Sequence, residues 1–511
     1  MIFKNFTKVL FCLIFSVLFS GCDFLSLNFT SGDIDFTDFP KNNSADPFEN
    51  EKTYEKGDKA SFYISVKSNL ESKDFCADFV LKESGEHCNV WCVEKDSAYM
   101  MKNPLSSDVF TQVREKFDEI YPVQIHIFGA NKFSDSKWSN LLQNYNGKVN
   151  ILIYDIANDA CESQTGGVYG FFHALDFYTD SKSSNSNKTE CINVDSFFFN
   201  QENTKEGSFQ TLFHEFQHLE NFVNKVVLSS NSSVSKVSTW YNEMLSMLSE
   251  DIFTDLLGIE LENAPANRLN FFNAYYPLGF YQWRSESNYF PSGDVYISYA
   301  NSYAFGAYLL RNFGKIRLIK EICQNDSVDE ESITKALETL GYDFTFFDVL
   351  LNFYQILFEN ESYSLNKEFS DDSFGCKLNI KAIDLKKFPA TEKIPYFVYD
   401  DATLYSSKKF PVSAYSFSVY KYPYGYSVSD VQKKNKNINY KVISSNSSSY
   451  LIKTNATTLD ISQENSGYFD LYKVFLEEKE SRALCSEIYP LPENHVKRVE
   501  PVFSDKELLL K

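Results

Sequence analysis

The chain has 511 residues, with 49 Lys+Arg against 69 Asp+Glu and a formal net charge of −20. An excess of negative charge of this size repels nucleic acid and anionic lipid surfaces, which excludes functions built on basic patches. The length exceeds one typical hydrophobic core, so about two to four domains are expected.

Residues 1–21 have the form of a targeting segment. Lys4 and Lys8 open it, an apolar run from Val9 to Phe19 follows, and Ser20-Gly21 precede Cys22. The segment resembles a bacterial lipoprotein signal, with Phe19 where Leu is usual. The resemblance implies a mature chain that starts at a lipidated Cys22 in the cell envelope, facing periplasm or exterior. Losing Lys4 and Lys8 would take the charge from −20 to −22. The apolar run is short for a spanning helix, and nothing later approaches a second span.

Residues 22–58 are polar and acidic and are expected to form a tether. Alternation in Ser61–Lys67 and Val90–Val93 suggests a small β unit over 59–102. A helical stretch is expected around Val109–Tyr121. Strands are expected at Val123–Phe128, Val149–Asp155 and Ile192–Phe199, the last as an edge able to pair with an extended peptide.

The next segment carries His214-Glu215-Phe216-Gln217-His218, built from a chain with only 6 histidines. Its surroundings lack Pro and Gly after Gly207, and Leu212, Phe216, Leu219 and Phe222 recur at helical spacing, so a buried helix is expected with Ser208 as a candidate N-cap. On a helix, His214 and His218 lie one turn apart on one face. Two imidazoles so placed can bind one tetrahedral Zn²⁺, with Glu215 beside it as a base for water.

After a polar loop, Ser229–Ser238, a second helix is expected from Trp240 to about Leu257, stopped by Gly258. Packed antiparallel on the first, it can deliver a carboxylate to the histidines. Glu243 is the candidate third ligand, with Glu250 and, more weakly, Glu220 as rivals. Two His and one Glu leave a coordination position open, as a catalytic zinc requires.

Asn242-Glu243-Met244-Leu245-Ser246 downstream of His-Glu-x-x-His resembles the Asn-Glu-x-x-Ser segment of gluzincin metallopeptidases. The longer strings Thr211–Phe222 and Trp240–Ser246 resemble the hyicolysin-type family most. Lys148–Asp155, Gly166–Phe172 and Ser302–Gly314 are similar to that family's opening strand, Gly-aromatic loop and aromatic helix. The likeness covers about residues 110–360. It implies an α+β fold, with a mixed-sheet lobe and a helical lobe carrying the active-site helix. It also implies a zinc endopeptidase acting on proteins or peptides, and a residue that stabilises the oxyanion, for which Tyr303 or Tyr299 is the candidate. Many gluzincins carry an Asp directly after the Ser to orient a metal-bound histidine. Here Met247 occupies that position, so that carboxylate must be Glu250 or Asp251, or be absent.

Helices are further expected at Tyr303–Asn312, Ser332–Leu340 and Phe347–Phe358. The catalytic domain is expected over 103–375 and a C-terminal β-sandwich over 385–511, with strands at Ser413–Tyr420 and Tyr468–Phe475 and a turn at Ser444–Ser449.

Ten cysteines are present. Apart from Cys12 and Cys22, eight remain, which in an exported protein permits disulfides, Cys161–Cys191 being a reasonable pair. Cys88 and Cys92 have zinc-like spacing but no partners nearby. The competing functional readings are a non-catalytic lipoprotein adhesin or binding protein derived from a peptidase, and a structural zinc. A binder has no need of Glu215, and a structural zinc would have four protein ligands.

Overall fold

A six-stranded mixed sheet and ten α-helices form the computed structural model, which describes residues 45–462 apart from single positions and stretches within 68–71, 130–138, 180–184, 230–236, 262–264, 284–293, 359–361, 389–410 and 431–434. The sheet comprises β1 (Lys59–Lys67), β2 (Ser72–Ser84), β3 (Cys88–Val93), β4 (Val149–Tyr154), β5 (Gly170–Phe172) and β6 (Cys191–Asp195), in the order β1-β2-β3-β4-β6-β5. Strands β3, β4 and β6 run parallel, and β5 is antiparallel to β6. The central strand β4 is buried at every position, which explains its unbroken apolar texture, Val149-Asn-Ile-Leu-Ile-Tyr154. The fold class is α+β, as expected.

Three features differ from the sequence reading. Strands β1–β3 form no separate unit, because β3 pairs with β4. Residues 45–58 are not all tether: Tyr54 is buried against Trp91, and Phe48 stacks on Phe62 at 5.1 Å. Val123–Phe128 is helical, being the end of a helix from Ser107 to Phe128 that continues through Pro122. Its β-branched residues suggest a strand locally, but packing decides. Phe117 and Tyr121 lie against Phe216, and Gln124 Nε2 donates to the motif helix at Phe213 O and Glu220 Oε2.

The helices in chain order are α1 (Ala98–Lys102), α2 (Ser107–Phe128), α3 (Ser196–Phe199), α4 (Lys205–Phe222), α5 (Thr239–Leu257), α6 (Leu269–Tyr275), α7 (Asp294–Asn312), α8 (Ile316–Gln324), α9 (Asp329–Thr339) and α10 (Phe346–Phe353). The expected strand Ile192–Phe199 divides into β6 and α3, because Asp195 accepts from Phe197 N and caps the short helix. Helix α4 starts at Lys205, so Ser208 is interior and Thr204 holds the N-cap position. Gly258 ends α5 in the left-handed conformation, φ 71°.

Beyond α10 lie a two-stranded ribbon of β7 (Phe369–Asp371) and β8 (Leu378–Ile380), then small antiparallel sheets. One holds β10 (Ser416–Pro423), β12 (Ser448–Asn455) and β11 (Asn439–Ser444). The other pairs β9 (Pro411–Val412) with β13 (Ile461–Ser462). Tyr415, Phe417, Val419 and Ile452 join the same core as the helices, and Phe417 stacks on Tyr276 at 4.9 Å. The expected strand at Tyr468–Phe475 and the segment around Cys22 lie outside the described residues.

The seven described cysteines form no disulfide with one another. Cys191 is buried within β6 while Cys161 is exposed, so the expected pair does not form. Cys88 and Cys92 both belong to β3, four residues apart along an extended strand, or roughly 13 Å, too far for a shared metal.

Candidate active site

Helix α4 is buried on all sides from Ser208 to Asn221, so each polar group on it needs a partner. Helix α5 supplies partners for four of them. Asn221 pairs with Asn242, Gln217 with Ser246, and His214 with Glu250. As one number falls the other rises, which is the signature of antiparallel packing. The same packing brings Glu243 to both histidines.

The ligating atoms of His214, His218 and Glu243 lie within 4.8 Å of one another. Glu243 Oε2 is 3.3 Å from His214 Nε2 and 3.6 Å from His218 Nε2. A tetrahedral zinc with bonds near 2.0–2.1 Å would separate its ligand atoms by about 3.3 Å. All three side chains are buried. Neither His214 Nε2 nor Glu243 Oε2 closes a hydrogen bond among the described residues, although the two face each other. The donor set therefore fits a divalent cation, which would satisfy both orphaned atoms.

The far side of each imidazole is also held. His214 Nδ1 lies 2.6 Å from Glu250 Oε1, and Arg268 donates to both oxygens of Glu250 at 2.9 and 3.2 Å. Ser246 Oγ lies 3.0 Å from His218 Nδ1 and 3.3 Å from its Nε2, and donates to Gln217 Oε1 at 2.5 Å. A hydroxyl that gives its proton to Gln217 accepts from the imidazole, and the nearer nitrogen is Nδ1. Protons on both Nδ1 atoms leave both Nε2 lone pairs for a metal.

The electrostatics agree. Burial alone would lower the pKa of His214, but Glu243 and Glu250 outweigh it and raise it to about 10. Burial would raise that of Glu243, but His218 and His214 hold it down at about 2. The buried carboxylates thus call for positive charge at the imidazoles, supplied by a proton or a cation.

Glu215 is fully buried beside His214 and lies against the edge strand: a Cβ built on Gly170 of β5 would stand 3.3 Å from Glu215 Cγ. The outer edge of β5 pairs with no strand among the described residues. The segment expected to be an edge, Ile192–Phe199, is not one, because β6 is interior, between β4 and β5.

A family model of peptidase M30 matches residues 79–362. The chain belongs to the peptidase M30 family. It is 28% identical over 265 residues to the neutral metalloprotease ShpI of Staphylococcus hyicus. The aligned part is 50% of this chain and 53% of that protein, so the chain spans about half the length of the curated relative it matches. The M30 match runs from within β2 to just past α10 and so contains strands β3 to β6, both motif helices and α7.

Of the residues singled out from sequence, His214, His218 and Glu243 come together. Glu220 faces away, toward Gln124. Glu250 binds Nδ1 of His214 rather than joining the Nε2 set. Tyr303 is fully buried on α7, and its hydroxyl donates to Asp251 Oδ2 at 3.1 Å. Arg311 donates to both oxygens of Asp251 at 2.8 and 3.0 Å. Tyr299, one turn earlier on α7, is 5% exposed with its ring 4.8 Å from that of Trp283. Sequence reasoning missed Arg268, the Ser246–Gln217 link and Gly170. No local pattern marks Arg268, which comes from a separate 3₁₀ turn, Pro265–Arg268.

Proposed function

We propose that this chain is a zinc-dependent endopeptidase of gluzincin type, tied to the bacterial envelope by a lipid on Cys22. The observation that carries the activity is the convergence of both histidine Nε2 atoms on Glu243, with Glu215, the neighbour of His214 on α4, packed against Gly170 of β5.

His214, His218 and Glu243 would hold Zn²⁺. A bound zinc supplies Lewis acidity to the scissile carbonyl and to water. An extended peptide substrate adds to the outer edge of β5 by main-chain hydrogen bonds, which places its backbone over Glu215. Glu215 takes the proton of the attacking water and returns it to the leaving amine. Tyr303 donates to Asp251, and Tyr299, one turn earlier on α7, is the tyrosine we assign to the oxyanion.

Among the described residues no helix is long and apolar enough to cross a membrane. The lipid proposal rests on the signal-like run before Cys22 and predicts that Cys22→Ser moves the protein from the detergent phase to the aqueous phase.

Metal analysis of the purified chain together with casein hydrolysis tests the activity. One zinc per chain and hydrolysis abolished by a chelator are expected. A zinc-loaded chain inert on unfolded proteins would instead make it a binding protein.

A further inference from the structure

We propose that Glu250 and Arg268 act together as the positioning pair for His214, in the place that gluzincin-like sequences give to the residue after the motif serine. The inference rests on the metal-centre reading above and assigns it two residues from outside the ligand set.

Helix geometry makes the substitution possible. Glu243 and Glu250 are seven residues apart on α5, two turns along nearly one face. That face meets α4 with the ring of His214 between the two carboxylates: Nε2 is 3.3 Å from Glu243 and Nδ1 is 2.6 Å from Glu250. Met247, between them, is buried and brings no polar atom. Glu250, one turn further on, delivers its carboxylate to Nδ1.

Asp251 does not share the task. One residue on, a helix has turned by about 100°, and Asp251 faces Arg311 and Tyr303 instead. Consecutive carboxylates on α5 thus have separate arginines and separate roles.

Arg268 places a buried guanidinium against the buried Glu250 carboxylate. Its two bonds to Glu250 also fix the carboxylate's orientation, hence the plane of the His214 ring. On the Nδ1 side, His218 meets the neutral Ser246–Gln217 link and no carboxylate among the described residues. His214 is therefore the more strongly polarised of the two nitrogen ligands.

The test compares Zn²⁺ dissociation constants of the full chain, by chelator competition, with visible ligand-field spectra of the Co²⁺-loaded protein. Glu250→Gln should weaken Zn²⁺ binding by about 10–100-fold and shift the Co²⁺ bands. Arg268→Lys keeps the charge but not the two-pronged contact, and should shift both readouts the same way by less. Asp251→Asn is the control: it removes an equally buried carboxylate and should lower thermal stability with Zn²⁺ affinity and Co²⁺ bands unchanged. Wild-type affinity in Glu250→Gln, or in Arg268→Lys where Glu250→Gln does not fold, would overturn the proposal. Equal weakening in Asp251→Asn would also overturn it, since the effect would then be one of general stability. A wild-type chain that takes up neither Zn²⁺ nor Co²⁺ would instead remove the metal-centre reading itself.

Discussion

Gly170 on the edge strand and Glu215 on the motif helix approach so closely that a Cβ at residue 170 would stand 3.3 Å from Glu215 Cγ. The same Cβ would stand 2.6 Å from Thr211 Cγ2 and 2.7 Å from Asn193 O, distances that atoms do not adopt without moving. Gly170→Ala should therefore push β5 away from α4. The expected cost is about 1–3 kcal/mol of stability. Activity should fall further than stability, because the strand and Glu215 must address one peptide together. Differential scanning calorimetry and steady-state kinetics on Gly170→Ala check this. An alanine variant with wild-type melting and turnover would mean that the contact is slack.

The two tyrosines on α7 separate by their partners. Tyr303→Phe removes one hydrogen bond from Asp251 and leaves Arg311 in place. It should cost about 1 kcal/mol and leave kcat near wild type. Tyr299→Phe should lower kcat by about 10²–10³-fold with KM little changed. The reverse ranking would restore the catalytic role to Tyr303.

Much of this site is legible in the sequence, and the limit is physical. The His-Glu-x-x-His spacing fixes one helical face by helix geometry alone. For the third ligand, packing of the next apolar-periodic segment leaves Glu243, Glu250 and Glu220 open, and only the resemblance of Asn242-Glu243 to the Asn-Glu-x-x-Ser segment favours Glu243. The end of α2 is not legible, because Val123–Phe128 has strand-like residues and becomes helical only by packing on Phe213, Phe216 and Glu220. Nor is the edge strand: β5 is three residues long, Gly170–Phe172, and owes its position to pairing with β6. Arg268 reaches Glu250 across a chain separation of 18, which no local period encodes.

A second acidic group predicts a pH dependence. Asp96 and Asp155 follow the C-terminal ends of β3 and β4, and Asp195 is the last residue of β6. Asp96 accepts from Asp155 N and Ser196 Oγ, and Asp195 accepts from Ile156 N. Burial, then the charge of Asp155, pushes Asp159 up to about 7 and Asp96 up to about 6. Their folded values lie above the unfolded value of about 3.9. Their protonated forms therefore favour the fold below about pH 4, and that contribution is lost as pH rises through 6 and 7. Asp159→Asn keeps an acceptor for Gln164 but cannot ionise. It should melt higher than wild type at pH 8, by about 1–2 kcal/mol after allowance for partial exposure, and equally at pH 4. Melting curves across that range check the sign. A variant less stable than wild type at pH 8 would contradict it.

The ion pair beneath the site sets a stability limit. Arg311 and Asp251 are both buried, and Arg311→Ala would leave the carboxylate without its cation. The expected loss is about 3–5 kcal/mol. Thermal unfolding of that variant at neutral pH measures it, and a loss below about 1 kcal/mol would show that Asp251 is satisfied in other ways.

The most direct test of the account is Glu215→Gln, with zinc content and peptide hydrolysis measured on the same preparation. Glutamine keeps the size of the side chain and removes the basic oxygen. Glu215 is absent from the set that brings His214, His218 and Glu243 together. Zinc content should therefore match wild type, while hydrolysis falls by about 10²–10⁴-fold. Glu243→Gln, measured alongside, should lose metal and activity together. Hydrolysis retained in Glu215→Gln, or zinc lost from it, would contradict the assignment of Glu215 as the base.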